Sequence, residues 1–164
     1  MSERIYNVLF LCTGNSARSI LAEAIIDREG AGRFRGFSAG SRPKGEVHPY
    51  ATVLLQRLNH DIAFARSKSW EEFAAPGAPR MDFVFTVCDQ AATEECPCWP
   101  GQPTTAHWGL PDPAAVQGSD ADITLAFRDA AVTLRRRIDL LLALPMAALD
   151  AMATRRELRD IGAR

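Results

Sequence analysis

Cys12 and Arg18 are separated by five residues in the segment Cys12-Thr13-Gly14-Asn15-Ser16-Ala17-Arg18-Ser19. A thiol and a guanidinium so spaced combine a nucleophile with an anion grip when the loop between them opens a helix. A glycine-containing turn at such a place aims the unpaired backbone N–H groups of Thr13 through Ser19 into one concavity, and the helix dipole adds about half a positive charge. That field favours thiolate over thiol, and cysteines so placed have pKa values lowered from ~8.5 to as little as ~3.5–7.5. Arg18 then holds two oxygens of a phosphate-like dianion in bidentate fashion. Ser19 can donate its hydroxyl to the Cys12 sulfur, and Asn15 can fix the loop backbone through its side chain. Spacing alone carries little. With 17 arginines and four cysteines, chance supplies about 0.4 such pairs in a chain of this length.

The elements around the loop give it weight. Ile5 to Leu11 is a continuous apolar run that stops at Thr13-Gly14, as a strand buried on both faces would. Ala17, Ile20, Leu21, Ala24 and Ile25 then recur at helical spacing up to Gly30, which the pattern casts as the left-handed residue ending that helix. Arg33 to Ala39 reads as a second strand, His48 to Leu58 as a helix with Pro49 in its first turn, and Asp82 to Cys88 as another buried strand. Ile123, Phe127, Ala130, Ala131, Leu134, Ile138 and Leu141 mark a long amphipathic helix, begun near Ser119 or Asp120 and stopped by Pro145. Prolines at 97, 100, 103, 111 and 113 exclude a regular helix from Glu94 to Pro113 and predict an ordered surface loop. Met146 to Arg164 reads as a short terminal helix with a polar tail. Strands alternating with helices predict an α/β domain with a parallel sheet wrapped on both sides. Ligands of such sheets bind at the carboxyl ends of strands, where Cys12 and Cys88 both fall.

Length and composition set the outer bounds. A chain of 164 residues, 47% hydrophobic and 24% charged, is expected to form one soluble globular domain over residues 1–164. No apolar run is long enough to span a bilayer, and Met1 to Tyr6 lacks the features of an export signal, so a cytoplasmic location is expected. A net charge of −1 offers no field for nucleic acid or an anionic membrane, so any anion site must be local. In a reducing compartment the four cysteines are more often catalytic, redox-active or metal-binding than structural.

Displacing oxygen from a tetrahedral oxyanion requires a proton for the leaving group, and Asp112, before Pro113, is the candidate acid. Asp-Pro pairs also start turns without doing chemistry. The Cys12 segment, with Ala22-Glu23-Ala24, Ser38-Ala39-Gly40, Val47-His48-Pro49 and Asp112-Pro113, resembles the low-molecular-weight protein tyrosine phosphatase fold. That resemblance implies a three-layer α/β fold, a central parallel four-stranded sheet with helices on both faces. It also implies Asp112 as the general acid. Both phosphatases and one class of arsenate reductase are built this way.

The remaining thiols separate the two chemistries. A second thiolate attacking a cysteine–arsenic adduct supplies two electrons, expels arsenite and leaves a disulfide, which a further thiol can move outward. Phosphate hydrolysis needs no such thiols. Thr86-Val87-Cys88-Asp89, Glu95-Cys96-Pro97, His107-Trp108-Gly109 and Asp112-Pro113 resemble the thioredoxin-coupled arsenate reductases of this fold. The resemblance implies that Cys12 attacks arsenate, Asp112 protonates the departing hydroxide, Cys88 attacks Cys12, and Cys96 captures Cys88. Cys98 is an additional thiol able to resolve instead. No bound cofactor is implied. Reducing equivalents would come from thioredoxin, glutaredoxin or another thiol donor, and phosphate or sulfate would compete with arsenate. In some members a potassium ion beneath the loop is held by an asparagine, a glutamate, a serine and an aspartate. Asn15, Glu23 and Ser38 match three of these, and Lys68 stands at the fourth, where its ammonium would pair with Glu23 in place of the ion.

Three other readings compete. Cys88, Cys96, Cys98 and His107 are possible zinc ligands, but their spacing departs from the closely paired ligands of structural zinc, so no metal is assigned. A tyrosine or small-molecule phosphatase would use Cys12, Arg18 and Asp112 equally well. Ala114 and Ala115, where such phosphatases commonly carry aromatic residues, favour a small inorganic substrate. A noncatalytic oxyanion or redox sensor would not need Asp112.

Overall fold

The computed structural model describes residues 5–88, 103–145 and 161–162. Its elements follow the order β1 (Tyr6–Cys12), α1 (Arg18–Glu29), β2 (Phe34–Gly40), α2 (Pro49–Arg57), β3 (Phe83–Thr86), β4 (Thr104–His107) and α3 (Asp120–Leu142). The strands form one parallel sheet in the order β2-β1-β3-β4, a three-layer α/β arrangement. β1 is flanked on both sides, which explains its unbroken apolar run. Tyr6, Val8, Phe10 and Cys12 face the core beneath the helices, while Leu9 and Leu11 face a second core with Phe37, Phe73 and Val84. Among the described residues α1, α2 and α3 pack on the first face, and the single helical turn Trp70–Phe73 covers part of the second. None of the described helices is long and apolar enough to cross a membrane.

Local chemistry accounts for the boundaries. His48 caps α2, its side chain accepting from Tyr50 N, and Pro49 occupies the first turn. Ser119 and Asp122 form a reciprocal capping box at the start of α3. Gly30 does end α1, but with φ −99° rather than a left-handed conformation. Close packing requires it, since a Cβ there would lie 2.9 Å from the Phe34 side chain. The stretch expected to be a surface loop up to Pro113 contains β4. Four residues suffice for an edge strand, and Pro103 stands just before the ladder, where its missing N–H costs nothing. β3 ends at Thr86, so Cys88 lies two residues beyond the strand. The terminal segment expected after Met146 falls largely outside the described residues.

The strand order places a topological switch between β1 and β3. From β1 the chain turns one way to β2 and returns on the other side as β3, so the loops leaving their carboxyl ends diverge and open a crevice. Leu11 pairs with Thr86, and Val87 N donates to Leu11 O at 2.8 Å, which carries the pairing to the edge of that crevice.

Candidate functional site

Cys12 is the last residue of β1 and Arg18 the first of α1. Asn15, not Gly14, makes the left-handed turn between them, with φ 45°. Asparagine tolerates this region better than other residues with a Cβ, and its side chain secures the conformation here. Oδ1 accepts from Lys68 N at 2.9 Å and Nδ2 donates to Ser19 Oγ at 2.8 Å, in a site with no solvent exposure. Ser19 therefore braces Asn15, whereas the groups acting on Cys12 are Cys88, Arg18 and the Gly14 amide. Gly14 leaves room for Lys44, whose side chain would lie 3.2 Å from a Cβ at that position.

The segment after β2 shapes the loop from outside. The amides of Arg42, Lys44 and His48 donate to the carbonyls of Thr13, Gly14 and Ser16 at 2.9, 3.0 and 2.9 Å. Ser67 Oγ donates to Gly14 O at 3.1 Å. A trans peptide sets its N–H opposite its C=O. With these carbonyls engaged, the Gly14 amide is left to hydrogen-bond the Cys12 sulfur. Gly40 permits the close approach, because a Cβ there would stand 2.5 Å from Thr13 O.

Cys88 meets the loop from the end of β3. Its sulfur accepts the Thr13 N–H at 3.3 Å and lies 3.6 Å from Thr13 Oγ1. It also hydrogen-bonds the Cys12 thiol, and both sulfurs are buried. This reverses the expectation of a Cys12 thiol with a depressed pKa. The hydrogen bond with Cys88, then burial, push the thiol up, outweighing Arg18 and the Gly14 amide, which pull it down. Two thiols in contact give up their protons in steps that belong to the pair.

Arg18 is turned toward the segment carrying Asp112. Its Nη1 donates to Leu110 O at 2.9 Å, and Nη2 lies 3.7 Å from Asp112 Oδ2. Asp112 Oδ1 accepts from Ala114 N at 3.0 Å and caps the single turn Pro113–Ala115, so it does start a turn while standing beside Arg18. Cys12, Arg18, Cys88 and Asp112 line one cleft, together with Arg42 and Lys44. Sequence reasoning missed those two cations. Their signal was position, since they follow directly on Ser38-Ala39-Gly40.

Beneath the loop, Ser38 Oγ donates to Glu23 Oε1 at 2.5 Å, and Lys68 Nζ lies 3.8 Å from the same oxygen. Lys68 Nζ also donates to Ser38 Oγ at 3.3 Å and to Arg66 O at 2.9 Å. Burial raises the Glu23 carboxyl to about 7 despite Lys68 and Ser38, which lower it. Burial likewise lowers Lys68, with Glu23 opposing. Lys68 thus braces the loop through its backbone amide on Asn15, while its ammonium joins Glu23 of α1 to Ser38 of β2. His107 Nδ1 is engaged with Thr86 Oγ1 at 2.7 Å. Cys96 and Cys98 lie outside the described residues.

Comparison with known proteins places this geometry. The model of the family "Low molecular weight phosphotyrosine protein phosphatase" matches residues 7–154. An arsenate reductase of Halalkalibacterium halodurans is 33% identical over 131 residues, covering 80% of this chain and 91% of the relative. A solved structure described as an arsenate reductase in the phosphate binding state superposes with a TM-score of 0.65 at 27% identity, covering 84% of this chain and 97% of that one. A thioredoxin-dependent arsenate reductase of Corynebacterium glutamicum shares the fold, with a TM-score of 0.58 at 23% identity over 86% of this chain and 65% of that one.

Proposed function

We propose that this chain, which belongs to the low molecular weight phosphotyrosine protein phosphatase family, reduces arsenate to arsenite by thiol chemistry. The observation that carries the reading is the second thiol. Cys88, held by the Thr13 amide, touches the nucleophile at the floor of an oxyanion nest, and ester hydrolysis gives it nothing to do.

Arsenate enters the cleft at the start of α1, where the loop amides and the helix dipole favour an anion, and Arg18 leaves Leu110 O to hold two of its oxygens. The arsenate dianion takes the shared thiol proton onto one of its oxygens, and the Arg18 guanidinium stabilises the thiolate that remains. The Cys12 sulfur bonds to arsenic, and Asp112 protonates the oxygen that departs as water. Cys88 then attacks the Cys12 sulfur. The S–As bond breaks, its electron pair remains with arsenic, which becomes arsenic(III), and a Cys12–Cys88 disulfide forms. Cys96, or Cys98 in its stead, takes over Cys88, and a dithiol protein such as thioredoxin restores the thiols. Phosphate and sulfate compete for the same nest. A reducing cytoplasm suits a site that must regain free thiols after every cycle.

Hydrolysis of a phosphate monoester is the second reading, favoured by Cys12, Arg18 and Asp112 alone. One preparation assayed for arsenate reduction coupled to thioredoxin and NADPH, and for hydrolysis of an aryl phosphate, separates the two. Dominant arsenate reduction is expected, and aryl phosphate turnover without arsenate reduction would overturn the proposal. A non-reducing peptide map after arsenate turnover should show Cys12 linked to Cys88, or Cys88 linked to Cys96.

A further inference from the structure

Arg137 occupies the buried side of α3 with only 7% of its surface exposed. Its Nη1 donates to two successive carbonyls, Trp108 O at 2.7 Å and Gly109 O at 3.0 Å. Among the described residues no carboxylate pairs with it, and its Nε is buried without a hydrogen-bond partner. Burying a cation costs several kcal/mol, and an apolar side chain of similar volume would fill the space without that cost. Packing is thus a poor account of an arginine here. The guanidinium instead fixes two peptide planes. Arg18 fixes the next one through Leu110 O. The same stretch is tied to the strand that delivers Cys88, Trp108 N donating to Thr86 O at 2.7 Å and Leu110 N to Val87 O at 3.3 Å. Beneath it the Trp108 indole, fully buried, stacks on Phe85 with ring centroids 4.0 Å apart. Pro111 alone separates this pinned stretch from Asp112, and prolines on both sides of Asp112 restrict the backbone through which its orientation is set.

We propose that Arg137 is the positioning residue for the Asp112 acid, anchoring residues 108–110 from α3 so that the carboxyl stays over the oxyanion nest when Arg18 is occupied. The two arginines share this stretch. Once arsenate takes both arms of Arg18, its hold on Leu110 O is given up, and Arg137, which does not line the anion cleft, keeps the loop in place. A fixed acid matters because displacement of a reacting group by about 1 Å can cost on the order of 100-fold in rate.

The proposal rests on Asp112 being the acid, and a double-mutant cycle keeps the two questions apart. Arsenate reduction coupled to thioredoxin is measured for the intact chain, Arg137→Met, Arg137→Lys, Asp112→Asn and the Arg137→Met/Asp112→Asn pair. Arg137→Met is expected to lower kcat about tenfold with an arsenate KM within about twofold of the parent, because the nest is untouched. Arg137→Lys restores part of the loss, and in the Asp112→Asn background Arg137→Met changes kcat less than about twofold. A parental kcat in Arg137→Met, a loss confined to KM, or losses that multiply independently of Asp112 would each overturn the proposal. Should Arg137→Met not fold, the same cycle with Arg137→Lys decides, coupling to Asp112→Asn supporting the proposal and independence refuting it. Unchanged turnover in Asp112→Asn alone would instead remove the acid reading, and the positioning role with it.

Discussion

Glu23→Gln tests the ionic support beneath the Cys12 loop through the pH dependence of stability. In the folded chain burial lifts the Glu23 carboxyl from 4.5 to about 7. Between those values the folded state retains a proton that the unfolded chain has released, so stability falls as pH rises through this window. A shift of about 2.5 units at 1.36 kcal/mol each amounts to about 3 kcal/mol over the window. Glu23 is 7% exposed, so solvent screening takes little from this figure. Glutamine keeps the Ser38 hydrogen bond but cannot titrate. Urea unfolding of both proteins from about pH 4.5 to about pH 8 should show the parent losing about 3 kcal/mol relative to Glu23→Gln as pH rises. Parallel profiles would refute the reasoning, because they would mean that Glu23 ionises in the folded chain as it does in water.

Removal of Cys88 by Cys88→Ala eliminates the largest influence raising the Cys12 pKa, so alkylation of Cys12 by iodoacetamide at neutral pH should accelerate. Each unit by which its pKa falls gives about tenfold more thiolate, and peptide mass mapping reads the rate at Cys12 alone. Exchange of sodium for potassium should leave arsenate turnover unchanged, because the Lys68 ammonium stands beside Glu23 and Ser38; steady-state rates at fixed ionic strength check this. Gly40→Ala puts a methyl 2.5 Å from Thr13 O, and the loop must shift. Thermal unfolding should report a loss of about 1–3 kcal/mol, and sulfate should protect Cys12 from alkylation less well than in the parent.

Much of the fold was readable in local patterns. β1, β2 and the helices left unambiguous periodicity, and capping residues fixed the starts of α2 and α3 to within a residue. β4 was hidden because four residues of an edge strand, set among prolines, carry too little pattern to distinguish from loop. At the site, Cys12 and Arg18 were legible from spacing and context. Asn15 emerged as the left-handed residue because side-chain bonds to Lys68 and Ser19, made across long and short separations, outweigh the intrinsic preference for glycine. The direction of the Cys12 pKa shift was not legible at all. It depends on Cys88, 76 positions away and brought into contact by strand register. Arg137 did leave a trace, an arginine within the apolar stripe of Leu134, Ile138 and Leu141. Its meaning appeared only when the carbonyls of Trp108 and Gly109 came to face it.

The pairing of β1 with β3 turns redox reach into a matter of where two strands stop. Leu11 pairs with Thr86, and Val87 N donates to Leu11 O, so the two chains leave the sheet side by side. Cys88 lies one residue past that last bond, and its sulfur accepts the amide of Thr13, the neighbour of Cys12. In the proposed cycle the partner for the first oxidation is thus delivered by sheet register, from a position 76 residues away, and not by a long flexible arm.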